Sequence, residues 1–297
     1  MARLAFLGSP EVAVVCLDAL LHAGHDMRLV VSGPDRRRGR RAEPSPTPVK
    51  RLALERGLEV TDDLRAVVGC GAELGVVVAF GRIIPRHILA ALDFVNLHFS
   101  LLPRWRGAAP VERALLAGDD ATGVSLMKVE AGLDTGPVYA VAETPIGAHE
   151  TAAELGLRLA SLGSDLLVER LAAGSVSLGL PHPQSDDLET TYAPKLVPSE
   201  LELDWARAAA ELERVVRVGR AWTTFRERRL IIWQAFARDP GPSPTLSGSP
   251  PGTLVAGDVV TGNGILELVE VQPEGRPRLA ATDWLRGAHL DGPERLG

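Results

Sequence analysis

Within its first 32 residues the chain passes from a short apolar stretch through a turn and an amphipathic segment into a second apolar stretch. That order limits the fold more than any other feature. Residues 3–7 (Arg-Leu-Ala-Phe-Leu) read as a buried strand ended by Gly8-Ser9-Pro10, with Pro10 suited to the first turn of a helix. Residues 11–23 set Val12, Val15, Cys16, Ala19 and Leu20 at helical spacing, and Gly24 supplies a stop. Residues 28–32 give the second strand. Strand, helix and strand in so short a span make a βαβ unit, which predicts a parallel sheet covered by helices on both faces.

The pattern continues downstream. Residues 48–57, 86–92, 109–117 and 151–173 read as helices, and 75–80, 94–98, 123–129 and 137–143 as strands. Residues 33–48 cannot be helix or central strand, because they combine Gly33-Pro34, a basic run and three more prolines. Residues 181–199 show no long period and are rich in proline, so a linker is expected there, between a first domain over 1–180 and a second over 200–297. In the second, a helix over 204–218 precedes strands over 229–236, 253–260 and 264–272, an order that suits a small antiparallel barrel. A surface loop is expected over 239–252.

The 297 residues carry 32 basic and 38 acidic side chains, a net charge of −6, which argues against a uniformly basic nucleic-acid coat but leaves room for local patches. Only two cysteines are present, Cys16 and Cys70, too few for a disulfide framework or a four-cysteine zinc site, and both read as small buried hydrophobes. No apolar run reaches the ~18 residues of a membrane span, and the N-terminal apolar stretch breaks too early for a signal peptide. A cytoplasmic protein is expected.

Asn96 and His98 stand two apart on a predicted strand, so both side chains lie on one face while Leu97 faces the other. They sit at the strand's C-terminal end, where open α/β sheets bind ligands. The chain then runs His98-Phe99-Ser100-Leu101-Leu102-Pro103 into Arg104-Trp105-Arg106-Gly107-Ala108-Ala109-Pro110, and later reaches Gly132-Leu133-Asp134-Thr135-Gly136. Together these segments resemble the folate-dependent formyltransferases. Further matches cover nearly the whole chain: Gly33-Pro34-Asp35-Arg36, Pro46-Thr47-Pro48-Val49-Lys50, Tyr192-Ala193-Pro194-Lys195-Leu196, Leu203-Asp204-Trp205 and Pro251-Gly252-Thr253-Leu254. Those in the second half resemble the members that act on transfer RNA.

The resemblance implies an α/β fold: a Rossmann-like formyltransferase domain with a parallel-rich sheet, followed by a small OB-like β-barrel that binds tRNA. The implied reaction moves a formyl group from 10-formyltetrahydrofolate, a co-substrate, to the α-amine of methionine on initiator tRNA, for translation initiation. The implied catalytic residues are Asn96, His98 and Asp134, and the implied folate-binding residues are Ser100, Leu101, Leu102 and Pro103. A cytoplasmic monomer without membrane attachment is expected. These residue types suit the chemistry. An amine attacking a formyl carbon puts negative charge on oxygen, which an Asn amide and an imidazolium can meet. A carboxylate can orient the imidazole and help relay the departing proton. No clustered His or Cys set offers a metal site.

Three features depart from the family pattern. The segment from Val60 to Gly75 is short, Phe80 stands where members often carry Tyr, and residues 219–225 replace a proline-rich aromatic turn. Two basic patches suit RNA. Arg36, Arg37, Arg38, Arg40 and Arg41 fall in six residues, and an inserted loop at this place in the resembling enzymes meets the acceptor stem. Six arginines between Arg214 and Arg229 face one acid, Glu227, beside Trp222 and Phe225. The competing readings are a formyltransferase for a small amine (an amino sugar or glycinamide ribonucleotide) and an RNA-binding module without activity. A dinucleotide oxidoreductase is excluded because Gly8 is not followed by the other glycines of Gly-x-Gly-x-x-Gly.

Overall fold

Strand Arg3–Gly8 lies inside a seven-stranded sheet ordered Val138–Pro145, Ala121–Lys128, Phe94–His98, Leu74–Val78, Arg3–Gly8, Asp26–Val31 and Val60–Thr61. The computed structural model describes the chain apart from residues 38–42, 173–177, 186–189, 240–247 and 291. Its packing divides the chain into two units. One joins Met1–Val111, Ala121–Pro145 and Glu154–Pro194; the other joins Glu112–Asp120, Ile146–Ala153 and Lys195–Gly297.

In the first unit the five strands from Phe94–His98 to Val60–Thr61 pair in parallel, and the remaining two add antiparallel. Strand Leu74–Val78 is buried along its whole length, as the unbroken apolar run predicts for a parallel strand covered on both faces. Helices Glu11–His22 and Ala152–Leu171 form at the expected places. Between Val60 and Leu74 the short segment folds as a single 3₁₀ turn, Leu64–Val67, begun by Asp63, whose carboxylate accepts the Arg65 N–H at 3.0 Å. Among the described residues of 33–47 the regular structure is a two-residue antiparallel ladder, Arg36–Arg37 on Pro44–Ser45, and helix Pro48–Glu55 follows.

Cys16 is buried under helix Ala152–Leu171, its thiol against the Ala160 carbonyl at 3.6 Å, and burial pushes its pKa up to about 12. Such a thiol is inert as a nucleophile near neutral pH. Cys70 differs from the expected burial, being half-exposed in a turn. Among the described residues no helix is long and apolar enough to cross a membrane.

The second unit is a closed barrel. Strands Ala221–Phe225, Arg228–Arg238, Ile265–Pro273, Asp258–Val260, Thr253–Val255 and Glu294–Arg295 follow in that order, each antiparallel to the next. The last meets the first, because Phe225 bridges Leu296 and the Gly297 N–H donates to the Thr224 carbonyl at 3.1 Å. Closure removes the exposed edges that an open sheet would present. Trp205, Leu212, Leu230, Ile232, Leu254 and Leu266 fill the interior.

Two of the expected elements take a different form, while strand Ala221–Phe225 and helix Ala281–Ala288 were not anticipated. Residues 253–260 form a hairpin rather than one strand, since Ala256 and Gly257 both take positive φ and turn the chain. The helix expected over 204–218 begins only at Ala209. Gly262 N–H donates to the carbonyls of Trp205 and Arg207, and Ala208 bridges Asn263, so tertiary hydrogen bonds hold residues 205–208 out of the helix.

Candidate active site

Strand Phe94–His98 pairs with Leu74–Val78 on one side and Ala121–Lys128 on the other, which fixes Asn96 beside Val77 and Met127 and His98 beside Ser125. Leu97 faces the opposite way, toward helix Ala152–Leu171 at Gly163. Alternation along the strand therefore brings Asn96 and His98 to one face, as expected. Asn96 is half-buried, and its amide has no hydrogen-bond partner among the described residues.

His98 is buried and held by two loops. Its Nε2 lies 2.8 Å from the Trp105 carbonyl, and its Nδ1 lies 3.7 Å from Asp134 Oδ2. A carbonyl only accepts, so Nε2 carries the hydrogen of that bond. In the neutral ring Nδ1 is then a bare acceptor facing a carboxylate; the protonated ring can donate to both neighbours. Asp134 adopts φ 52°, a left-handed conformation that a non-glycine residue holds only under local support. One source of support is the Gly107 N–H, which donates to Asp134 Oδ2 at 2.8 Å. His98 and Asp134, 36 positions apart in the chain, are thus neighbours in the fold.

The segment read as folate-binding divides. Ser100 is fully buried, and its hydroxyl donates to the Arg104 carbonyl at 2.6 Å. Its own carbonyl accepts from Ser125 Oγ at 2.7 Å, while that same oxygen accepts the Leu102 N–H at 3.0 Å. Ser100 therefore builds the loop from within. Leu101, Leu102 and Pro103 remain half-exposed.

Residues 182–185 and 190–193, in the stretch that composition marks as connecting chain, are bound into the first unit. His182 bridges Val138, Thr191 Oγ1 accepts the Trp105 N–H at 2.9 Å, and Tyr192–Ala193 pairs in parallel with Arg106–Gly107. Gln184 reaches both loops: its Nε2 donates to the carbonyls of Asp134 and Gly136, and its Oε1 accepts from Arg106 Nε. The sequence reading missed Gln184 and Thr191; no spacing rule links residues so far apart in the chain.

Of the basic residues singled out, Arg36 and Arg37 are exposed, while Arg38, Arg40 and Arg41 lie outside the described residues. In the second unit three of the six arginines serve the fold. Arg214 donates to the Ala117 carbonyl, Arg217 to those of Glu150 and Gly147, and Arg226 to Ala288 and Glu294. Glu211 and Glu213 pair instead with Arg207 and His149. Arg220, Arg228 and Arg229 stay exposed, with Arg229 stacked 4.3 Å over Trp222. Phe225 packs edge-on against Trp284, and an open cavity of about 550 Å³ lies there, lined by Arg228, Arg229, Arg276, Phe225 and Trp284 among others.

The family models define the class, a formyl-transfer protein. The formyl transferase family model matches residues 2–171, and that of the formyl transferase C-terminal domain matches residues 195–289. A methionyl-tRNA formyltransferase of Methylococcus capsulatus is 42% identical over 313 aligned residues, covering 99% of each chain. Another, from Solibacter usitatus, is 41% identical, covering 99% of this chain and 98% of that protein. Among solved structures, HypX of Aquifex aeolicus in complex with tetrahydrofolic acid superposes with a TM-score of 0.68 at 16% identity, over 96% of this chain. This chain spans about half of that larger protein, 47% of its length. The chain belongs to the formyl transferase family, and at full length it is similar to the methionyl-tRNA formyltransferases.

Proposed function

We propose that this chain transfers a formyl group from 10-formyltetrahydrofolate to the α-amine of methionyl initiator tRNA, in the cytoplasm, as a monomer and without a metal. Full-length identity above 40% to proteins of that activity carries the reading. The first unit performs the chemistry, and the barrel, from about residue 200, binds tRNA.

The half-exposed run Leu101–Pro103, next to the His98 strand end, suits an apolar ring face such as a pterin, with Ser100 fixing the loop. Folate, as formyl donor, supplies an electrophilic carbon and a nitrogen leaving group that takes up one proton. Asn96, with its amide unpartnered, donates to the oxygen on which charge develops as the methionyl nitrogen attacks. His98 and Asp134 take the proton that the new C–N bond forces off that nitrogen and hold it until the donor's C–N bond breaks. Asp134 also keeps the imidazole in register.

Incubation with formyl-labelled folate and methionyl-tRNA tests the reading: label is expected on the methionyl nitrogen, and label on an amino sugar alone would overturn it. A second test reads the barrel. Replacing Arg228 and Arg229 together with Ala should weaken tRNA binding and flatten the slope of log affinity against log salt by roughly one to two, leaving folate affinity alone. An unchanged slope would remove the Trp222–Arg229 face from tRNA binding.

A further inference from the structure

Asp134 owes its geometry to more than its own turn. Gln184 Nε2 donates to the Asp134 carbonyl at 2.8 Å and to the Gly136 carbonyl at 2.7 Å, clasping the turn on either side of Thr135. The clasp is itself aimed, because Gln184 Oε1 accepts from Arg106 Nε at 2.9 Å and the Arg106 side chain is buried, only 4% exposed. The next residue, Gly107, supplies the N–H that binds Asp134 Oδ2. One side chain thus ties the carbonyl side of Asp134 to the same two-residue strand that holds its carboxylate. The amide's fixed geometry lets its two hydrogens serve two carbonyls while its oxygen serves the guanidinium.

We propose that Gln184 is a positioning residue for the Asp134–His98 pair. It acts by holding Asp134 in the left-handed conformation from which its carboxylate faces His98 Nδ1 at 3.7 Å. This rests on the formyl-transfer reading for its catalytic consequence, though not for its structural one. Small misplacement of a catalytic group costs about 10²-fold in rate, so loss of the clasp should lower kcat by roughly tenfold or more with KM little changed. Gln184→Glu separates the two halves of the clasp. A carboxylate keeps the Arg106 contact, loses both donations and sets an acceptor against two carbonyl oxygens, so it should fail at least as badly as Gln184→Ala does.

The closing experiment has one arm free of substrate. Amide hydrogen exchange is measured at Gly107, whose N–H meets the Asp134 carboxylate, and at Ala108 and Ala109, whose N–H groups meet the Ala193 carbonyl. In Gln184→Ala and Gln184→Glu the Gly107 amide should exchange at least about tenfold faster, with Ala108 and Ala109 unchanged. No change at Gly107 would overturn the proposal; so would equal acceleration at all three, which reports loss of the 192–193 strand. In the activity arm, Gln184→Ala is combined with Asp134→Ala. The kcat loss should vanish in the Asp134→Ala background, because the clasp then has no carboxylate to place. An equal loss in both backgrounds would overturn the positioning role. A wild-type chain that formylates no methionyl-tRNA would count against the functional reading, and the exchange arm would still decide for or against the clasp.

Discussion

Asn96→Ala, His98→Ala and Asp134→Ala should each lower kcat by at least about 100-fold, with folate affinity held within a few-fold. The expectation follows from the roles proposed for the three side chains. Asn96 has no partner for its amide among the described residues, so in the proposed mechanism its strongest bond forms only when charge appears on the formyl oxygen. His98 is fixed between the Trp105 carbonyl and the Asp134 carboxylate, and in the proposed mechanism its removal leaves Asp134 without the imidazole that shares the proton. Asp134→Asn is the sharper test. It keeps the side chain's size and can still accept from Gly107 N–H, but it removes the charge facing His98. Full folate binding with a collapsed kcat locates the defect in the transition state; a raised KM with kcat intact would move these residues into ground-state binding.

Gly136→Ala should be nearly as damaging, and Gly132→Ala far less, although the two glycines flank the same turn. A Cβ on Gly136 would lie 2.0 Å from the Lys128 carbonyl, a backbone atom that cannot move aside without shifting strand Ala121–Lys128. The nearest atom to a Cβ on Gly132 is the Thr135 hydroxyl at 2.2 Å, on an exposed side chain that can give way without shifting a strand. Overpacking of the first kind costs typically about 1–3 kcal/mol, and the displaced turn carries Asp134 with it, so kcat should fall by about 100-fold. Denaturant unfolding and turnover of the two variants check both halves. Equal damage from both substitutions would show that the turn tolerates no side chain at all, and equal tolerance would show that the close approach to Lys128 is dispensable.

The sequence showed the parallel half of the fold because its strands are continuous apolar runs and its helices begin after Pro or Thr and end near Gly. Asn96 and His98 could be placed on one face by alternation alone. Asp134 joined them only through resemblance, since a Gly-flanked Asp is ordinarily a turn residue. Gln184 was beyond reach, because its partners lie in loops brought together by a two-residue parallel ladder with no pattern of its own. Strand Ala221–Phe225 also escaped. The turn that follows it uses Arg226 and Glu227 at positive φ, where the usual signal is Gly, Asn or Asp. Helix Ala209–Val218 is shorter than the periodicity over 204–218 predicts for a tertiary reason, the hold of Gly262 on residues 205–207, which local periodicity does not register.

Single-turnover formyl transfer tests the central claim most directly. Enzyme saturated with 10-formyltetrahydrofolate carrying a labelled formyl carbon is mixed with methionyl-tRNA, and label on the methionyl nitrogen is followed in wild type and in His98→Ala at equal folate occupancy. The account predicts rapid transfer to the aminoacyl group in wild type and transfer slowed by at least about 100-fold in the variant. Equal rates in the two proteins, or label passing to a small amine while methionyl-tRNA stays unlabelled, would contradict it.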